Sequence, residues 1–390
     1  MSSRHPIIIV TGANGGVGYG ICQRLLLNLC GDVPEDALPQ PEATPGAYQP
    51  CDYIPWTKLT LIMACRSAQR AGEARNNLLQ FLDEHIAERK RQNSPFSKEM
   101  DEFRKNLTID ILLLDLASSQ STLKFCREVS QRYPYISHAI YNAGYAPWNG
   151  IDWPLAIWAV LKSIKNAVTY PQYQRQLTGV LSKDQYGLTF QSNVLGHFFI
   201  TRALKPLMDK SPWPTRVVWT SSLETTYALK YANWDDPQLI TCIKPYSMCK
   251  FQTQLVAHYL DLESPRTRHF VTHPGVTSTG IFLDQLNIFT SFAMLLAFYI
   301  ARLLGSVHHP ISWINGAIAA THVSLVALPL LNVRKKLVVY GSRATLWGKA
   351  YVGGNEMDNY SQYADKAKNL VSYCDELYET QKRRFTEQRS

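Results

Sequence analysis

Residues 7–20 read IIIVTGANGGVGYG. Four apolar residues, Ile7 to Val10, run directly into a glycine-rich loop, and an apolar helical pattern, Gly16–Cys30, comes at once after it. Glycines at 12, 16 and 18 let the backbone turn tightly and let a pyrophosphate approach it. The helix start behind them supplies free N–H groups and the positive end of a dipole. A glycine loop alone says little, but one that opens a helix straight after a buried strand is the context a dinucleotide site needs.

The rest of the chain repeats this strand–helix alternation. Apolar runs at Leu59–Ala64, Leu107–Leu114, Ser137–Tyr141, Arg216–Thr220, His269–Thr272 and Leu337–Tyr340 alternate with helix-length segments. Among these are Ala68–Arg91, Gln120–Arg132, Ser182–Met208 and Tyr246–Leu262. The expected fold is α/β: a doubly wound parallel sheet of the Rossmann-like kind. The runs IIIV and LTLIMA are almost wholly apolar, as strands covered on both faces should be. Three insertions interrupt the pattern, at 31–56 with six prolines, at 93–106, and at 146–184 with Trp148, Trp153 and Trp158. One domain over 1–345 and a helical, basic tail over 346–390 are expected.

Composition bounds the function. Of 390 residues 46% are apolar, enough for a full core, and the net charge is +9. That excess suits nucleic acid, an anionic membrane surface or a phosphorylated cofactor. The basic residues are scattered apart from Arg334-Lys335-Lys336 and Lys382-Arg383-Arg384, which disfavours nucleic acid and leaves either lipid phosphate or an ordinary solvated surface. The eight cysteines show neither CxxC nor zinc-ligand spacing, so a reduced compartment and no metal are expected. Met1 to Pro6 lacks the shape of a signal peptide, so any membrane contact is expected from inside the chain. Between Gln285 and Val333 the only formally charged residue is Arg302. Leu286–Ala301, at 16 residues, is short for a span of roughly 20. The segment reads as a core helix plus an apolar lid, as a monotopic anchor or a greasy substrate entrance facing a bilayer, or as a single-pass span. Asn315–Leu328 is expected to cover the sheet.

At the cofactor end, Gly12, Asn14, Gly16, Val17 and Gly18 form the pyrophosphate loop. The second strand ends at Ala64-Cys65-Arg66 with no acidic residue from Met63 to Ser67. An arginine there suits the 2′-phosphate of NADP rather than the ribose hydroxyl of NAD. Asp115 ends the third strand, in reach of an adenine amine. Asn142-Ala143-Gly144 comes after the fourth, where backbone must pass close to the cofactor. Val276 and Thr279 come after His273-Pro274-Gly275 and are assigned to the nicotinamide end, with Thr279 facing the carboxamide.

Tyr246 and Lys250 are i and i+4 on one helix and share a face. A tyrosine hydroxyl has a pKa of about 10, and an ammonium one turn away is expected to lower it toward acid–base use. The same ammonium can hold the nicotinamide ribose. Ser222 ends the fifth strand, placed to support charge on a substrate carbonyl oxygen. Asn193, on the helix before it, is a candidate for a proton relay behind Lys250. Singly these are common features; their order along successive strand ends carries the weight.

On Thr11-Gly12-x-x-x-Gly16-x-Gly18, Asn142-Ala143-Gly144, Asn193, Ser222, Tyr246-x-x-x-Lys250 and Pro274-Gly275-x-x-x-Thr279, the chain resembles the short-chain dehydrogenase/reductases over roughly Pro6 to Tyr340. Within them it looks most like the fungal 3-ketosteroid reductases of sterol C4-demethylation. The long insertion before Asn193, the extended Ser222-to-Tyr246 stretch and the apolar segment after Gly275 carry that finer likeness. The resemblance implies NADPH-dependent reduction of a 4-methyl or 4-demethyl 3-ketosterol to its 3β-alcohol, at the endoplasmic reticulum or lipid droplets, beside other sterol-biosynthesis enzymes. Two other readings remain: a reductase for another lipophilic carbonyl such as retinal or a fatty acyl ketone, and a cofactor-binding scaffold for membrane enzymes. Two departures matter. NADP-using members often carry a basic residue where Gly15 stands, and the Ser222–Tyr246 separation is long, so Leu223–Pro245 must loop out.

Overall fold

The computed structural model describes residues 4–31, 34–45, 56–278, 288–331, 336–357 and 360–387. Its centre is an eight-stranded sheet. Seven strands are parallel: β1 (Ile7–Thr11), β2 (Leu59–Cys65), β3 (Leu107–Leu113), β4 (His138–Tyr141), β7 (Thr215–Thr220), β8 (Thr267–His273) and β9 (Val338–Ala344). An antiparallel β10 (Ala350–Glu356) closes one edge, and the order is β10-β9-β8-β7-β4-β1-β2-β3. The order reverses between β1 and β4, so their carboxyl ends frame the crevice where such sheets take ligands. All seven expected strands are present.

Strands β1 and β2 are buried at every residue. Their side chains alternate between two cores. One core lies under α1 (Gly16–Leu29), α2 (Ala68–Arg91) and α3 (Ser97–Asn106), centred on Ile8, Val10, Leu61 and Met63. The other lies under α4 (Ser119–Arg132), α7 (Gly196–Asp209) and α8 (Pro245–Glu263), centred on Ile9, Ile62, Trp219 and Val271.

The structure changes four expectations. The Ser182–Met208 helix is broken: a short turn, α6 (Leu188–Phe190), leads into a π-turn at Gln191–Leu195 and only then into α7. The 146–184 insertion is itself ordered: α5 (Trp153–Thr169, kinked at Ser163) stands between two short strands that pair antiparallel, β5 (Trp148–Ile151) and β6 (Gln174–Gln176). The charged 93–106 stretch ends in α3. The boundary at 345/346 falls inside the β9–β10 hairpin, so the chain beyond it is not a separate tail. The apolar segment forms α9 (Ile288–Leu303), and then α10 (Trp313–Gly316) and α11 (Ile318–Leu325), which cover the sheet beside α1 as Asn315–Leu328 was expected to do. The last helix, α12 (Ala364–Glu387), buries Ala367, Leu370, Val371 and Cys374 in the α7–α8 core.

No described helix is long and apolar enough to cross a membrane. Instead α9 buries Phe298 and Ala301 beside Val168 of α5 and exposes Phe292 (68%), Leu296 and Leu303 (62%). Helix α5 likewise exposes Trp153, Ile157, Trp158 (59%) and Leu161 (81%). The seven described cysteines are all buried.

Candidate active site

A cleft of ≈ 690 Å³ lies over the carboxyl ends of the strands, and it runs from the glycine loop to the inner faces of α5 and α9. Its floor is built without side chains. Gly12 has φ +67°, and a Cβ on it would press on Ala143 at 3.1 Å. A Cβ on Gly18 would strike the Gly12 carbonyl and the Asn142 amide. Helix α1 begins with no side-chain cap, so its first N–H groups are left for a ligand.

One hydroxyl ties this loop to the catalytic side. Thr11 Oγ1 accepts from the backbone N–H of Asn142 and of Ala143, both at 3.0 Å, and so donates to His197 Nε2, 3.0 Å away. His197 then carries its proton on Nδ1, which faces the Asn193 carbonyl at 3.3 Å. Burial holds this imidazole's pKa down to about 3, so it stays neutral. His197 was not singled out from the sequence. Its spacing, four residues after Asn193 on one helix face, was the available signal.

Asn193 sits in the π-turn, where the extra residue turns its side chain into the cleft wall. Its Nδ2 donates to the carbonyls of Tyr145 and Thr189, both at 2.8 Å, and its Oδ1 accepts from Tyr145 N–H. Gly144 passes so close that a Cβ there would lie 2.6 Å from Asn193 Oδ1 and 3.5 Å from Lys250 Nζ. Gly144, Asn193 and Lys250 therefore meet, and Asn142 meets the glycine loop at Thr11, Gly12 and Gly18.

Ser222 and Tyr246 meet as well. The long connection loops out through 3-10 turns at Leu223–Tyr231, and both residues line the same cleft, where Ser222 acts to lower the pKa of the phenol. Proline at the first position of α8 starts that helix, and Gln176 Oε1 accepts the Tyr246 N–H at 2.9 Å. Lys250 is 4% exposed; its ammonium donates to the Thr220 carbonyl at 2.9 Å and lies 5.6 Å from the Tyr246 ring centroid.

One expectation fails here. Lys250 was to lower the Tyr246 pKa, yet that pKa is raised, first by burial and then by Cys249 and Glu224, with the Ser222 hydrogen bond opposing. Burial likewise lowers the pKa of Lys250. The low-dielectric wall penalises the phenolate, and that burial is the largest influence on it.

At the adenosine end Arg66 lines the cleft together with Arg70, which sequence reading missed, one turn into α2. Gly15 faces open space, with nothing near a would-be Cβ. Asn14, Gly16, Val17 and Asp115 line the same cleft, and Asp115 Oδ1 accepts from Ala117 N–H at 3.0 Å. Val276 lines the nicotinamide end, but its N–H donates to the His308 carbonyl at 2.7 Å. Thr279 lies outside the described residues. Glycine cradle and basic pair together fit a phosphorylated dinucleotide.

No protein-family model matches the chain. It is similar to the 3-keto-steroid reductase of Candida glabrata, 30% identical over 92% of this chain and 90% of that one. The 3-keto-steroid reductase of Saccharomyces cerevisiae is 31% identical over 90% of this chain and 89% of its own. Among solved structures, L-sorbose reductase from Gluconobacter frateurii, complexed with NADPH and L-sorbose, matches with a TM-score of 0.52 at 11% identity, covering 87% of this chain and 95% of that one. That last likeness speaks for the fold.

Proposed function

The chain belongs to the 3-keto-steroid reductase family, within the short-chain dehydrogenase/reductases, and from that premise we propose that it reduces the C3 ketone of a 4-methyl or 4-demethyl 3-ketosterol to the 3β-alcohol with NADPH. The observation that carries this reading is the convergence of Ser222, Tyr246 and Lys250 on a cleft floored by the glycine loop. NADPH, when bound, supplies hydride to the carbonyl carbon. The glycine loop and the start of α1 would hold its pyrophosphate, and Arg66 with Arg70 its 2′-phosphate.

The protein's own part is proton handling and placement. Tyr246 gives its hydroxyl proton to the developing alkoxide oxygen, since burial keeps the phenol protonated. Ser222 supports charge on that oxygen. Lys250, pinned to the Thr220 carbonyl, presents its remaining protons toward the cofactor ribose and the Asn193 side. The sterol offers few polar handles, so its affinity comes from buried apolar area at ~25 cal/mol per Å². Val168, Met294 and Phe298 line that end of the cleft.

The exposed apolar faces of α5 and α9 support seating on a membrane, at the endoplasmic reticulum or a lipid droplet. They carry Lys162, Lys165 and Arg302 and no acidic residue. Neighbouring sterol enzymes are candidate partners on the same surface.

The decisive experiment is turnover of a 3-ketosterol in detergent with NADPH and with NADH, beside retinal as a competing carbonyl. Tyr246→Phe should bind NADPH normally and lose turnover. Unchanged turnover in that variant removes Tyr246 as the acid.

A further inference from the structure

Glu224 lies two residues after Ser222, and its side chain lines the same cleft. Its N–H donates to Ser222 Oγ at 3.2 Å. Its carboxyl accepts from Ser247 Oγ at 3.1 Å, and Ser247 is the residue after Tyr246 in the first turn of α8. The acid is thus bonded to the serine on one side and to the tyrosine's helix turn on the other. A sterol ketone gives it nothing to bind, and the Ser247 hydrogen bond with the nearby Lys244 charge offsets the cost of burying it.

The groups that face it come from three elements. Tyr246 and Ser247 face it from α8, Lys244 from the residue before α8, and Tyr173 from the approach to β6. The Lys244 ammonium is directed to the carbonyls of Gln172 (3.0 Å) and Gln174 (2.6 Å). The charge of Glu224 therefore acts on Lys244 and on two phenols, of which Tyr246 is the one placed to react.

We propose that Glu224 is a positioning residue that holds Tyr246 in its proton-bearing form and so biases the site toward ketone reduction. This rests on Tyr246 being the proton donor. A negative charge beside a phenol opposes its ionisation. Burial pushes the Glu224 pKa up to about 7, against the Ser247 hydrogen bond and Lys244. The carboxyl thus already carries its charge at the higher pH where the phenol would begin to ionise.

Glu224→Gln keeps an acceptor for Ser247 and removes the charge. The test is the pH profile of kcat for reduction with NADPH and a 3-keto steroid, and for oxidation with NADP and the matching alcohol. In Glu224→Gln both limbs assigned to Tyr246 should move to lower pH by at least about half a unit, a roughly threefold change in proton affinity. NADPH affinity should not change. Unmoved limbs would overturn the proposal. So would a shift seen only in Glu224→Ala, since that variant also loses the acceptor and reports bracing rather than charge. The tyrosinate absorbance with NADP bound, after subtraction of Tyr246→Phe, gives a second readout that needs no substrate. A wild type that turns over no 3-keto steroid would remove the assigned activity, while this titration still decides the role of Glu224.

Discussion

Gly144→Ala should damage the site through one methyl group. The new Cβ would stand 2.6 Å from Asn193 Oδ1, so something must move. Asn193 is held by three hydrogen bonds, two of them to Tyr145, the very next residue after Gly144. The methyl and the bonds thus cannot all be kept. At about 1 kcal/mol per hydrogen bond, breaking two or three costs about 2–3 kcal/mol, a fall of several degrees in Tm. The backbone at 142–145 also floors the cofactor cleft, so NADPH affinity should fall as well. Gly72→Ala is the control. Gly72 lies inside α2, where a Cβ meets nothing within 4 Å, and the same chemical change should stabilise the protein by roughly 0.5–1 kcal/mol. Thermal melts of both variants, with NADPH titrated by its fluorescence, test the pair. A Gly144→Ala protein that melts with the wild type and binds NADPH as well would refute the crowding argument.

Gly15→Arg, placed in open space near Arg66 and Arg70, should raise the preference for NADPH over NADH about tenfold, read from the two Kd values. Arg66→Ala should lower the same ratio and leave NADH binding nearly unchanged. Burial holds the pKa of His138, His197 and His273 down to about 3, so between pH 3 and 6.5 the unfolded chain binds more protons there than the native one. Stability from these groups is present above about pH 6.5 and is lost as pH falls through that window. Glu224, with its pKa raised to about 7, has the opposite sign: its contribution is complete below about pH 4.5 and is lost as pH rises toward 8. Denaturant melts across pH 4–9 should show Glu224→Gln gaining on the wild type only at the alkaline end. Trp158→Glu with Leu161→Glu should leave the fold intact and reduce flotation with anionic vesicles several-fold, whereas equal flotation would count against α5 as the membrane face.

The parallel sheet was readable because its strands are continuous apolar runs covered on both sides. Strand β10 was not. It has Gly353-Gly354 at its centre, buries only Val352 and Gly353 fully, and lies at the edge, so it carries neither a run nor an alternation. The β5–β6 pair is four and three residues of mixed character, joined across α5 rather than by a tight turn, so no local signal marks it. Most of the site was legible through motif order: Gly12, Gly144, Asn193, Ser222, Tyr246 and Lys250 stand where that order places them. His197 escaped despite its spacing from Asn193, and so did two residues with no spacing signal of their own. Arg70 sits one turn into a helix, and Glu224 sits in a stretch that reads as a polar loop. The π-turn escaped too, because one added residue in a helix leaves apolar periodicity almost unchanged. The phenol's proton affinity escaped because burial, which a sequence does not display, outweighs a neighbouring charge that it does.

Helix α12 has a consequence for how the protein is made. Arg202 on α7 forms a two-pronged pair with Asp375 of α12, 2.8 Å at each contact, and also reaches Glu263 at the end of α8. Those two braced helices are the one that continues from Asn193 and the one that carries Tyr246 and Lys250. Every reacting side chain has been translated by residue 250, yet the clamp that fixes their spacing leaves the ribosome well after them. A message truncated between residues 250 and 375 therefore yields a chain that holds all of its candidate catalytic groups without the Arg202–Asp375 brace between α7 and α12.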